Sequence, residues 1–414
     1  MPAIVRKSLL QLVFSGAFMK RWNDRLRPME LMEVDKQAHK MIVAWMLLTR
    51  ITAHMDMDER LALVEEVVEG GIFDYFYRLV ITDIKPPVFY KIKANREDYQ
   101  KLTQWVLPQL KPRLAPLGQA FWDRMTEALM EPEEKTLARR ILMAAHLYAS
   151  YSEFRVLKPL NPQDEEMSEI EESFRTRLNA LTDIPGVAEL LAGTSEFSRF
   201  AARAGQLRFQ KRWSQTPRVP ETTVLGHMFL VATYSWFFSV EAGACQARRQ
   251  NNFFTGLFHD LPELLTRDII SPVKSADASI GELIKQYENQ ELERKILGPL
   301  KRGQCEDLAA RLSYLLGLDV GLEFIATVRE NGEVHNVTEA DLRGPMNRDE
   351  LDPKDGPLLK MCDRLAAFIE ADTALRNGIN NEQLHQARWR IRQMYENRPE
   401  VMGIQVGALL ADFD

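Results

Sequence analysis

Cysteine is scarce: three occur in 414 residues (Cys245, Cys305, Cys362) and none stands in a CxxC spacing. That excludes a disulfide framework and a zinc knuckle, and makes a reducing, cytoplasmic setting the expectation. Long apolar runs are absent as well. No stretch reaches the roughly 18 uninterrupted residues of a membrane-spanning helix. The opening MPAIVRKSLLQLVFSGAFMK lacks a small-residue cleavage site and reads as an amphipathic first helix rather than a signal peptide. Basic excess is missing too. With 53 Lys+Arg against 59 Asp+Glu the net charge is -6, which argues against a general nucleic-acid or anionic-membrane surface. Any anionic ligand must then meet a local basic pocket. Sustained period-two alternation is lacking, whereas Ala, Leu, Glu, Arg and Met abound and apolar residues recur three and four apart. The prediction is an all-α protein of two or three domains, with 45% apolar residues to build its core.

What is present is an internal echo. KRWNDRLRPME at 20–30 returns as KRWSQTPRVPE at 211–221, an offset of 191. DKQAHKMIVAWMLL around His39 answers TVLGHMFLVATYSW around His227 at an offset of 188. GGIFDYFYRLVITDIKPPV answers TGLFHDLPELLTRDIISPV, matching Asp74 with Asp260 and Asp83 with Asp268. The expectation is a tandem duplication of one helical domain. Its parts are a first copy over 1–157, an acidic linker and helix over 158–186, and a second copy over 187–414 with an irregular insertion around 300–356.

The copies differ in chemistry. The densest constellation lies in the second, where the adjacent pair His259-Asp260 ends an apolar run and Glu263 and Asp268 follow. Imidazole and carboxylate are good N and O ligands for a divalent cation. Two further candidates are His227 and Asp363, each a polar group on an otherwise core-facing helix pattern. The plain alternative for each is a hydrogen-bonded core residue. In the first copy Phe73 stands before Asp74, and Ala144 or Ala145 fills the place of the last Asp, while the neighbouring His146 reads as a helix-surface histidine. That copy is expected to bind no metal.

The order H…HD…D, Glu263, the run LLTRDIISPVK and the upstream KRW-x5-R together resemble the HD-domain metal-dependent phosphohydrolases, and within them the bacterial 5'-deoxynucleotidase branch. The resemblance covers residues 196–376. It implies a tandem HD-domain bundle and one divalent ion (Mn, Co, Fe or Mg) held by His227, His259, Asp260 and Asp363. It also implies Glu263 and Asp268 as the acid–base pair, and Arg212, Trp213 and Arg218 as contacts to a small nucleotide substrate. Neither His335 nor His385 has the spacing for a second metal. Two departures stand out: Gly226 precedes His227 where the nucleotidases commonly carry Glu, and Leu261-Pro262 fills the interior of HDxxE. Retention of Arg21, Trp22, Arg27 and Glu30 in the first copy leaves a structural reading of the KRW segment open. A nucleotide sensor or scaffold with a weak site is the second functional reading. For the whole molecule the expectation is an intramolecular pseudo-dimer of the halves, with homo-oligomerisation possible in addition; an independent first domain on a flexible linker is the alternative.

Overall fold

The structure is a computed structural model, described over residues 4–131, 136–267 and 277–414. Helices dominate, and the described strands form three short antiparallel hairpins. The first half contains α1 (Lys7–Ser15), α2 (Glu33–Ile51), α3 (Met57–Ile81), α4 (Pro86–Ala94), α5 (Arg96–Leu114), α6 (Gln119–Met130) and α7 (Leu137–Leu157). Then come α8 (Glu166–Asn179), α9 (Val187–Ala192), α10 (Glu196–Ala204), α11 (Val224–Glu241), α12 (Gln246–Phe258) and the single turn α13 (Glu263–Thr266). The chain continues through α14 (Ala278–Leu292), α15 (Glu306–Leu315), α16 (Gly356–Arg376) and α17 (Glu382–Glu396).

Helix α11 is apolar on every side, and a helix of that kind is stable only when enclosed. Thr223 caps it by accepting from the Gly226 N–H at 3.0 Å. Residues 224–239 are all buried. Around it pack α2, itself buried from Glu33 to Leu48, and then α12 and α16. Gly256 is what lets α12 approach: a Cβ there would lie 2.8 Å from the Ala232 backbone. One hydrophobic cluster runs from Val5 to Phe413, so both halves share a single core. Aromatic pairs cross between them, including Tyr75 on Phe229 at 4.9 Å and Trp45 on Phe258 at 4.6 Å between ring centroids.

The two halves repeat local geometry, and the repeated contacts set three of the sequence pairings in a different register. Strands β1 (Lys20–Arg21) and β2 (Leu31–Met32) pair Lys20 with Met32, and 191 residues later Lys211 bridges Thr223 in the same antiparallel sense. Trp22 and Trp213 both have φ of 55°. Trp22 donates to Glu153 at 3.0 Å and Trp213 to Glu370 at 2.9 Å. This register puts Lys36, not His39, at the place of His227, because β2 and Thr223 open the corresponding helices. The seven-residue spacing to Glu153 and Glu370 sets His146, rather than Ala144 or Ala145, at the place of Asp363. Gly71, whose Cβ would meet Met41, corresponds to Gly256, whose Cβ would meet Ala232. That pairing aligns Asp74 with His259 rather than Asp260. Sequence matching slipped because a shared His or Asp outweighed helix register.

Between the halves, α8 lies on α7, burying Met167 and Leu178 and turning its acidic residues outward. The insertion contains the hairpin β3 (Thr327–Glu330) and β4 (Glu333–Asn336). Thr327 also pairs with Lys354, which ties the hairpin to the chain entering α16. The insertion, expected to be irregular, is therefore fastened at this point.

Candidate metal centre

Three helices deliver the candidate ligands. His227 sits one turn into α11 and is 0% exposed. His259 follows the last residue of α12, where its N–H still bonds to Thr255 O at 2.8 Å. Asp260 then begins the turn into α13, stabilised by Glu263 N–H to Asp260 O at 3.0 Å. Asp363 projects from α16, which is started by Asp355 accepting from Leu358 N–H.

Ligand atoms of His227, His259 and Asp363 all lie within 4.8 Å of one another, and they are the group of that kind among the described residues. His227 Nε2 is 3.2 Å from Asp363 Oδ1. Asp260 stands at the edge of this trio, its Oδ2 3.3 Å from His259 Nε2 and 3.7 Å from His227 Nε2, while also 3.4 Å from Arg212. The four sequence candidates thus converge, with Asp260 shared between the imidazoles and a guanidinium. His259 Nδ1 donates to Gly256 O at 2.9 Å, which orients the ring so that Nε2 faces the carboxylates. That buried Nε2 makes no well-directed hydrogen bond. An orphaned imidazole nitrogen beside two carboxylates fits a divalent ion.

Electrostatics agree. Burial pushes His259 down, but Asp260 and Asp363 outweigh it and raise its pKa to about 8. Burial opposes ionisation of Asp363, yet Lys360 and His227 hold it well below the usual carboxylate range. Asp260 is depressed against burial by His259, His227 and Arg212. The cluster demands positive charge at its centre.

The KRW-x5-R segment is clamped over this site by Glu370, a residue the sequence reading did not single out. Glu370 is seven residues beyond Asp363, two helical turns along the same stripe of α16. It accepts from Trp213 Nε1 at 2.9 Å and Thr222 Oγ1 at 2.7 Å, and lies 3.4 Å from Arg212 Nε. Despite burial, Arg212, Arg218 and His227 lower its pKa to about 2. Arg218 donates to Arg212 O at 2.8 Å and Thr222 Oγ1 at 2.9 Å. Arg212 therefore reaches a candidate ligand, Asp260, whereas Trp213 and Arg218 hold the loop in shape.

Glu263 is 6% exposed and opens α13, with Gln210 donating to its carbonyl at 3.0 Å. It lines a cavity of about 60 Å³ with His259, Asp260, Lys285, Glu288 and Glu323. That space suits a few waters, each needing roughly 10–15 Å³ on this measure. Lys360, a further residue missed in the sequence, donates to Asp363 Oδ2 at 2.8 Å and stands 4.2 Å over the Phe324 ring. Its spacing of three from Asp363 was the available signal. Asp268 lies outside the described residues. Gly226 has a structural explanation: a Cβ there would come 2.6 Å from Asp35 Oδ1 of the first half.

Residues 204–392 match the family model described as HD domain. Searches of curated proteins and of solved structures returned no match. His227, His259, Asp260, Glu263, Asp363 and Glu370 all fall inside the matched span, and over it the chain has the all-α fold of an HD domain.

Proposed function

We propose that the second half is a metal-dependent phosphohydrolase acting on small nucleotides, with 5'-deoxyribonucleoside monophosphates the first substrates to test. The observation that carries this reading is His259 Nε2, buried and without a well-directed hydrogen bond, facing Asp363 and Asp260 beside His227. A divalent ion bound by His227, His259, Asp260 and Asp363 would supply Lewis acidity to a phosphoryl oxygen and lower the pKa of water. The chain's own groups divide the remaining work. Glu263, at the wall of the small cavity, is placed to hold or transfer a proton of the attacking water. Arg212 and Lys360 bring positive charge to the rim, where phosphoryl oxygens would collect it. Asp268 as partner to Glu263 rests on the sequence resemblance.

The cavity admits waters and the edge of a phosphoryl group, so sugar and base would lie outside it. That small volume also favours the second reading, a nucleotide sensor with slow turnover. Phosphate release from deoxy- and ribonucleoside mono-, di- and triphosphates, with Mn, Co, Fe and Mg in turn, separates the two. Hydrolysis of the deoxynucleoside monophosphates supports the first. Nucleotide binding without phosphate release from any of them supports the second.

For the first half, we propose a tandem copy that pairs with the active one about a pseudo-twofold axis. Asp35 faces Gly226, its own counterpart 191 residues on. His39 donates to Ala201 O at 2.9 Å and Tyr234 to Leu10 O at 3.0 Å, two carbonyls also 191 apart. Reciprocal contacts of this kind belong to isologous interfaces.

A further inference from the structure

A second cavity, about 480 Å³, lies between the halves and away from the metal ligands. Its volume is within the ~300–1,000 Å³ typical of small-molecule sites. One wall is the end of α2 and the start of α3; the other is α12, α15 and β3. Three guanidiniums line it: Arg60 from the first half, Arg311 and Arg329 from the second. Arg311 is spoken for, bonding Asp352 at 2.5 Å and also Asn251. Arg60 makes no side-chain hydrogen bond or ion pair among the described residues, and burial together with Arg311 lowers its pKa. Arg329 stacks 4.6 Å over Tyr314, and its buried Nε has no hydrogen bond. Against these cations stand Asp352, already paired, and the exposed Asp307. Trp45 and Phe254 supply an apolar floor.

We propose that this cavity binds a phosphorylated small molecule of nucleotide size, its phosphates held by Arg60 and Arg329 and its planar or apolar part resting on Trp45 and Phe254. Guanidinium forks suit phosphate oxygens, and two cations brought together by separate halves are relieved by one anion. The position also reaches the metal centre. Asn251 holds Pro353 O at 2.8 Å, and Asn252 accepts from the Asp355 N–H at 2.8 Å, which fixes α12 to the start of α16. Trp45 packs on Phe258, the residue before His259.

The test is isothermal titration of the full chain in EDTA with ATP as probe, with adenosine and pyrophosphate as companion titrants. The expected result is one ATP per chain, displaced by pyrophosphate and not by adenosine. Arg60→Gln and Arg329→Gln should each weaken binding about tenfold or more, while His259→Ala leaves it unchanged. Both arginines are partly exposed, so circular dichroism of these variants should match that of the parent. The proposal is overturned by absent binding, by adenosine displacing ATP, or by affinity that ignores both arginines and falls with His259→Ala.

Discussion

At the scale of single residues, the proposed metal site stands or falls on His259 and Asp363. His259→Ala or Asp363→Ala should leave metal near zero by elemental analysis of the purified chain, whereas Lys36→Ala and His39→Ala should keep about one ion each. Full metal in Asp363→Ala would remove that residue from the ligand set. Glu263→Ala should retain metal and nucleotide affinity while turnover falls roughly 100-fold or more; unchanged turnover would pass proton transfer to another group. Glu370 is a positioning residue of a different kind. Glu370→Ala strips the buried Arg212 of its main partner, and breaking a buried pair in this way costs about 3–5 kcal/mol. Chemical denaturation of the metal-free chain would measure it, and a loss under 1 kcal/mol would contradict the clamp. The convergence of the candidate ligands was legible in the sequence because an isolated His or Asp interrupts an apolar helical pattern. Glu370 and Lys360 were not, because a charged residue in an amphipathic helix carries no mark of facing inward until its partner is known.

Elements were legible to a different degree. The helical character of α2, α11 and α16 followed from composition and period, whereas the insertion read as irregular and its hairpin shows in the structure. Register between repeats did not follow from the sequence, since Lys36 and His227 share no chemistry, and the match shows in the β1–β2 pairing, the Lys211–Thr223 bridge and the common backbone of Trp22 and Trp213. The contact of α2 with α11 has its own pH signature. Asp35 is buried there, accepting from Thr223 at 2.6 Å, with Arg208 and Glu153 as the charged groups facing it. Burial raises its pKa from 3.8 to about 7. A folded-state value above the unfolded one means that the folded chain holds the proton more tightly. The stabilisation is complete below pH 3.8 and is lost as pH rises through 7. Asp35→Asn should therefore flatten this part of the pH–stability curve and be the more stable form at pH 8. A melting series from pH 4 to 8 checks it; an unaltered slope would mean that Asp35 ionises freely.

At the scale of the whole molecule, the shared core decides what can be separated. The interface places Phe229, Phe237, Phe254 and Phe258 of the second half against Tyr75, Phe76 and Trp45 of the first. Cutting the chain exposes this surface, and a bare apolar patch of that kind drives association. Residues 187–414 expressed alone should aggregate or form a new dimer in light scattering. A soluble monomer with unchanged melting temperature and activity would show that the first half is dispensable.

The first half also settles its own charge. Around Glu33 stand Arg21 at 2.8 Å, Arg78 at 3.6 Å and Lys36 at 3.8 Å, and Asp74 is met by Lys40 at 2.8 Å and Arg139 at 3.0 Å. Where the second half leaves His227, His259, Asp260 and Asp363 for a proposed cation, the first carries its counter-charges on covalent tethers. If the proposed ion is bound, a chelator should leave the first half's ion pairs untouched, because none of them depends on a metal.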